Sequence, residues 1–248
     1  TKGAHGTGLL PEERWPTVLH EELDQSLARL GVEYVDLYFL HRDNQEMPVG
    51  RLLGPLNEEL RRGRVRAIGA SNWEYRRVRE AVAYARDHGL TGFAAVSNTI
   101  SLAVPAAAFY PGLVAVDGEG EAWHRETGVP LIPWSSQARG FFAGACPRPL
   151  PGAEGLTARS FAGRMQTVYG SVENWQRLER AAELGRRKGG YTATEVALAY
   201  LLHKPFPLVP VVGPRTPAEL ASCVRATELT LTRQELAWLN LERDAAPA

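Results

Sequence analysis

Tyr34-Val35-Asp36-Leu37-Tyr38-Phe39-Leu40-His41 is the stretch on which the reading of this chain turns. It is an apolar run, too short for a helix and apolar toward both sides, and it ends on a single imidazole. A strand covered on both faces by helices has this pattern, because neither face alternates with water. Four more short, β-branched runs follow, at residues 65–69, 93–96, 129–134 and 208–212. Polar or conformationally special residues close each of them or follow close behind: Ser71-Asn72, Ser97-Asn98, Trp134-Ser135 and Gly213-Pro214-Arg215.

Amphipathic segments of helical length separate the runs. Val18, Leu19, Leu23, Leu27 and Leu30 keep a three-to-four spacing and stop at Gly31, and Leu52, Leu53, Leu56 and Leu60 stop at Gly63. Residues 77–88 stop at Gly89, and the segment containing Thr194, Val196, Ala197, Tyr200 and Leu201 stops before Pro205. Thr216 is set to cap a helix that opens on Pro217. Residues 171–188 and 236–241 read as extra helices and residues 140–170 as a long loop.

Alternating strand and helix predicts an α/β fold with a parallel sheet. An open dinucleotide-binding sheet should carry its glycine fingerprint between first strand and first helix. The only candidate, Gly3-Ala4-His5-Gly6-Thr7-Gly8, has the wrong spacing and runs into Pro11. A (β/α)8 TIM barrel is therefore expected, read as one domain over residues 1–248, with its chemistry at the carboxyl ends of the strands. Thr1-Lys2-Gly3 reads as the tail of a strand, so only about six of the eight strands are found. The expectation is a barrel lacking about the first two β/α units.

Composition narrows function by exclusion. Basic and acidic side chains number 28 each, which gives no overall field toward nucleic acid or an anionic membrane. No apolar stretch approaches the roughly 18 residues of a membrane helix. Cys146 and Cys223 lie far apart and outside any CxxC spacing, which suits a reducing, cytoplasmic setting.

In their order and spacing, several segments together resemble the aldo-keto reductases. These are Thr1-Lys2-Gly3, Ser26-Leu27-Ala28-Arg29-Leu30-Gly31 leading into residues 34–41, and Gly63-Arg64-Val65-Arg66-Ala67-Ile68-Gly69-Ala70-Ser71-Asn72-Trp73. Trp134-Ser135 through Gly140 and Val211-Val212-Gly213-Pro214-Arg215-Thr216 complete the set. Lys2-Gly3-Ala4-His5 with His41-Arg42-Asp43 resembles a bacterial branch sometimes fused to a second oxidoreductase segment.

The resemblance implies NADP(H)-dependent hydride transfer to a small aldehyde or ketone. The family's catalytic set is an aspartate, a tyrosine, a lysine and a histidine. Lys2 matches the lysine and His41 the histidine, while the other two belong to the region ahead of the third strand and have no counterpart here. An alkoxide forming at a reduced carbonyl needs a proton and electrostatic support. The lysine is there to draw down a tyrosine whose ordinary pKa is about 10. For this chain alone, negligible reductase activity is expected.

Ser71 and Asn72 match the pair on the nicotinamide carboxamide, and they also suit the N-cap of a helix starting near Glu74. Trp134 stands for the ring on which nicotinamide stacks, usually a tyrosine, with Ser135, Gln137 and Gly140 following the pyrophosphate. Gly213, Arg215 and Thr216 match the adenosine-phosphate segment, and Arg215 favours a 2′-phosphate by its forked guanidinium. Three positions depart from the family. Asn98-Thr99 replaces Asn-Gln, so Asn98 is left to contact the cofactor; Glu219 stands in a frequent glutamine position; and Cys223 replaces an asparagine. Trp73, Phe141 and His5 are candidate substrate-pocket residues.

Two other classes compete. One is a non-catalytic or truncated homologue that keeps the cofactor cleft. The other is a metal-dependent hydrolase using His41-Arg42-Asp43, which would need further ligands where Ser71, Asn98, Trp134 and Gly213 stand.

Overall fold

The computed structural model describes residues 1–3, 11–148 and 160–247. The chain divides into two compact units, Thr1–Asn98 with Val116–Ile132, and Thr99–Ala115 with Pro133–Ala248. No helix among the described residues is long and apolar enough to cross a membrane.

The first unit holds a four-stranded parallel sheet in sequence order, β1 (Lys2–Gly3), β2 (Val35–Leu40), β3 (Val65–Ser71) and β4 (Ala95–Ser97). Its register sets Lys2 beside Phe39, Phe39 beside Gly69, Gly69 beside Ala95, and Ser71 beside Ser97. Side chains alternate along a strand, so Lys2, Phe39, Gly69, Ser71, Ala95 and Ser97 share one face. Tyr38, Leu40, Ile68, Ala70 and Val96 share the other, and all five are buried. Gly69 is required by crowding: a Cβ there would lie 2.5 Å from the Phe39 ring and 2.9 Å from the Ala95 carbonyl oxygen.

Helices α1 (Trp15–Leu30), α2 (Val49–Arg61), α3 (Tyr75–Asp87) and α4 (Gly118–Thr127) complete the unit. In α1 the buried residues are Trp15, Leu19, Leu23 and Leu27, one per turn along a single face, and Gly31 ends the helix at φ 66°. The Trp15 indole donates to the Leu52 carbonyl of α2 at 3.3 Å. The predicted stops at Gly63 and Gly89 fall at left-handed glycines, φ 73° and 64°.

The second unit contains α5 (Phe161–Tyr169), α6 (Val172–Arg187), α7 (Ala193–Leu202), α8 (Pro217–Arg225) and α9 (Arg233–Leu239). Residues 196–201 of α7 are buried without interruption, so this helix forms the centre of its unit. Asn174 at the start of α6 pairs with both the N–H and the carbonyl of Val104, at 2.9 and 2.8 Å, and fixes the 99–115 segment.

Three sequence expectations are corrected. Residues 129–134 and 208–212 do not form regular strands: the first makes a single parallel bridge, Leu131 to Val96, and in the second the Val211 N–H reaches the Pro133 carbonyl at 2.9 Å. Pro130 and Pro133 lie inside the first run, and Pro207 precedes and Pro210 interrupts the second; each removes a ladder donor. The 140–170 loop contains α5, capped by Ser160 through the Gly163 N–H. Helix α4 was not expected either, because its glycines mask the Asp117 cap and Gly128 stop.

Candidate active site

In the first unit the site is built on Lys2. Its ammonium donates to the Ser97 hydroxyl at 2.8 Å and to the Ser71 hydroxyl at 3.0 Å, and it lies 5.3 Å from the centre of the Phe39 ring. These are the face-sharing neighbours that the register predicts. Burial lowers its pKa from 10.5 to about 8. The partners are neutral hydroxyls, so no counter-charge offsets the loss of water. Ser71 in turn donates to the Ser97 carbonyl at 2.8 Å.

His41 follows β2 directly. Its N–H donates to the Gly3 carbonyl at 2.8 Å, and its own carbonyl accepts from the Asn72 amide at 3.1 Å. Asn72 is almost fully buried and left-handed, φ 58°, and its amide also donates to the Ser71 hydroxyl at 3.3 Å. Lys2, Ser71, Ser97, Asn72 and His41 thus form one connected set around the ends of adjacent strands. A left-handed asparagine at such a junction carries backbone strain of order 1–3 kcal/mol.

The loop after His41 is anchored by Arg77 of α3. Its guanidinium reaches the Asp43 carboxylate at 3.1 Å and the Asn44 and Met47 carbonyls at 3.2 and 2.8 Å. Asp43, the residue that would complete an HxD ligand pair, is thereby paired with an arginine.

Both ends of the Asn98 side chain are engaged by the Trp73 backbone. Its carbonyl oxygen accepts from the Trp73 N–H at 3.3 Å, and its amide donates to the Trp73 carbonyl at 2.8 Å. Helix α3 begins with Glu74 as its N-cap residue and no side-chain cap, so Ser71 and Asn72 do not cap it. Trp73 is fully buried edge-on to Phe93, in the core. His124 is also fully buried, between the Tyr75 hydroxyl at 2.8 Å and the Val129 carbonyl at 2.6 Å.

In the second unit, the turn after Trp134 concentrates left-handed backbone: Ser135 (φ 53°), Ala138 (49°), Arg139 (53°) and Gly140 (87°). Successive residues of this kind form concavities lined by N–H groups that suit anions. Ser136 anchors the turn by donating to the Val211 carbonyl at 2.7 Å, and the Gln137 amide lies 3.4 Å from the Cys223 sulfur. Phe141 is fully buried against Phe142, Tyr169 and Trp175, so it packs rather than lines open space.

At the start of α8, Thr216 caps the helix by accepting from the Glu219 N–H at 3.1 Å, as the sequence predicts. Glu219 reaches back to the Arg215 N–H at 2.6 Å and to its guanidinium at 3.2 Å, and these bonds lower its pKa. Arg215 is 86% exposed. A Cβ on Gly213 would touch nothing within 4 Å, so space is open beside it. His5 lies outside the described residues.

The sequence reading passed over Ser97 as a site residue, although it mirrors Ser71 one strand away; the signal was the repeated Ser-Asn pair at consecutive strand ends.

A parallel sheet thus carries a half-buried lysine and a strand-end histidine on adjacent strands. Residues 5–240 match the Aldo/keto reductase family, and the chain belongs to it. It is similar to versiconal hemiacetal acetate reductase of Aspergillus parasiticus, 30% identical over 227 residues, covering 89% of this chain and 60% of that one. It is also similar to an aldo-keto reductase of Schizosaccharomyces pombe, yakc [NADP(+)], 27% identical, covering 84% and 56%. A solved thermostable aldo-keto reductase in complex with the inhibitor epalrestat has the same fold, with a TM-score of 0.65 at 22% identity, covering 91% of this chain and 66% of that one. The chain spans about 60% of the first of these relatives' length.

Proposed function

We propose that this chain carries most of the site of an NADP(H)-dependent carbonyl reductase acting on a small aldehyde or ketone. The observation that carries the proposal is the half-buried Lys2 ammonium, set between two neutral hydroxyls with its pKa drawn down to about 8. A half-buried cation with no counter-ion among the described residues is a fixed electrostatic support for negative charge forming at an oxygen. His41, half-buried at the same rim, would orient that oxygen.

The cofactor would supply the hydride. In the first unit Ser71 and Asn72 are proposed to contact it. In the second unit the proposed contacts are Trp134, Ser135, Gln137, Gly140, Gly213, Arg215 and Thr216. The donor set fits a phosphorylated dinucleotide: left-handed backbone after Trp134, a capped helix start, and an exposed guanidinium. Glu219 opposes a 2′-phosphate because its carboxylate already occupies Arg215, but the pair is exposed and separable at small cost.

The proposal includes the absence, from these residues, of about two β/α units together with the family's aspartate and tyrosine. Among the described residues Lys2 Nζ is bonded to Ser71 and Ser97, and no tyrosine serves it. Tyr38 lies on the other face of β2, and burial, with Glu22 and Glu59 nearby, raises its pKa, the wrong direction for a proton donor. The commitment of Asn98 to Trp73 favours the second reading, a homologue that binds cofactor weakly and does not turn over.

Quenching of protein fluorescence by NADPH and NADH, with NADPH oxidation on 4-nitrobenzaldehyde, tests both. Binding of NADPH with negligible turnover is expected for this chain. Brisk oxidation by it would refute the missing pair, and failure to bind either cofactor would sink the whole proposal. Binding without turnover by the full gene product would favour the non-catalytic reading.

A further inference from the structure

Ser97, the last residue of β4, is fully buried, and its hydroxyl accepts from the Lys2 ammonium at 2.8 Å. Lys2 belongs to β1, so three strand intervals separate the two residues in the sheet. At the usual strand spacing that is about 14 Å across a flat sheet, beyond the combined span of a lysine and a serine side chain. The bond therefore requires a sheet curled toward the face that carries the lysine. The floor under the side chain suits the crossing. The Phe39 ring lies 5.3 Å from the ammonium, and Gly69 and Ala95, next across the register, present no long side chain.

The two hydroxyls that receive the ammonium are not equivalent. Ser71 donates its own proton to the Ser97 carbonyl, and its oxygen also accepts from the Asn72 amide. Ser71 is a proposed cofactor contact as well, whereas Ser97 has no part in that set. Within β2, β3 and β4 the face that Lys2 shares carries no ionisable side chain. The ionisable groups at its border are the Thr1 ammonium, of the same sign, and His41, which follows β2. Burial disfavours the charged form of an amine, and an oxygen that accepts its hydrogen bond favours that form. A carboxylate would do the same more strongly but would cancel the cation's field, which a hydroxyl leaves in place.

We propose that Ser97 is a positioning residue of the candidate site: its hydroxyl stops the Lys2 ammonium at the carboxyl ends of β3 and β4 and holds the charge there without neutralising it. The use of that charge rests on the reductase reading. The hold itself rests on the geometry of one sheet.

The chain has three lysines, Lys2, Lys188 and Lys204, so lysine labelled with carbon-13 at Cε gives three signals to follow by nuclear magnetic resonance. Lys2→Met assigns the first of them. In the wild type Lys2 should titrate near 8. Ser97→Ala should lower that midpoint by about one pH unit, tenfold in the proton equilibrium, the size of a hydrogen bond to a charged group. The Lys188 and Lys204 signals should stay in place, and Ser97→Thr, which keeps the hydroxyl, should restore the midpoint. If circular dichroism shows that Ser97→Ala does not fold, Ser97→Cys carries the test. Its sulfur is a weaker acceptor of similar shape and should move the midpoint in the same direction. A wild-type midpoint near 8 that neither variant moves, or an equal shift in Ser97→Thr, would overturn the proposal and leave the reductase reading standing. A wild-type midpoint near 10.5 would overturn both. Failure to bind NADPH, measured separately, would overturn the reductase reading and leave the hold on Lys2 intact.

Discussion

Lys2 and Arg215 are both cations at candidate binding positions, and their surroundings are opposite. Lys2 is half-buried beside two hydroxyls and an aromatic ring, and has its pKa lowered to about 8. Arg215 is 86% exposed and already paired with Glu219 in the first turn of the helix that follows it. Water and a neighbouring carboxylate leave Arg215 a replaceable grip, worth little until a stronger anion displaces Glu219. Low polarity and the lack of a counter-ion make Lys2 a field source that acts strongly on any charge arriving beside it. One unit is organised to hold charge in tension, the other to exchange it.

The largest expected effect breaks the first half of this contrast. Lys2→Met in the full gene product should lower aldehyde reduction by about 100-fold or more, the scale for removing one preorganised electrostatic contact. Its thermal midpoint should stay close to that of the wild type, because a poorly compensated cation is removed along with its bonds. A large loss of stability with little loss of turnover would reverse the assignment.

The same group should mark the pH dependence of stability. Its folded pKa, about 8, lies below its ordinary 10.5, so between those values the unfolded chain binds more protons. Folding is penalised in full below about pH 8, and the penalty is released as pH rises toward 10.5. Urea midpoints at pH 7 and pH 10, wild type against Lys2→Met, should therefore show the wild type gaining on the variant at the higher pH. A parallel response of the two would show that Lys2 is solvated.

Smaller effects sharpen the second half. Thr216→Ala removes the cap of α8 and should cost about 1 kcal/mol, seen in denaturant titration. Smallest is Glu219→Gln, which should tighten NADPH a few-fold by releasing Arg215 while leaving NADH nearly unchanged. Equal gains for both cofactors would remove Arg215 from the 2′-phosphate.

Local chemistry was legible where it acted alone. The β-branched runs that became β2 and β3, the glycine stops at Gly31, Gly63 and Gly89, and the Thr216–Pro217 helix start all follow from a few adjacent residues. The runs at 129–134 and 208–212 looked equally strand-like, but their prolines govern hydrogen bonding rather than hydropathy, and the apolar pattern hides that. Ser71-Asn72 read as a cap because the competing partner of Trp73, Asn98, is distant in sequence and meets it only through the sheet. Lys2 and His41 are candidates through family resemblance, not through any local pattern. The company Lys2 keeps followed from strand register, which no local pattern states.

Gly69 shows how a site can depend on a position with no chemistry of its own. The Phe39 ring fills the space that a side chain at 69 would need, and the same ring lies beneath the Lys2 ammonium. A single added methyl group would meet that ring and the Ala95 carbonyl, and alter the lysine's surroundings without touching a candidate site side chain. Inventories of polar residues would pass over such a position, because what it contributes to the candidate site is vacancy.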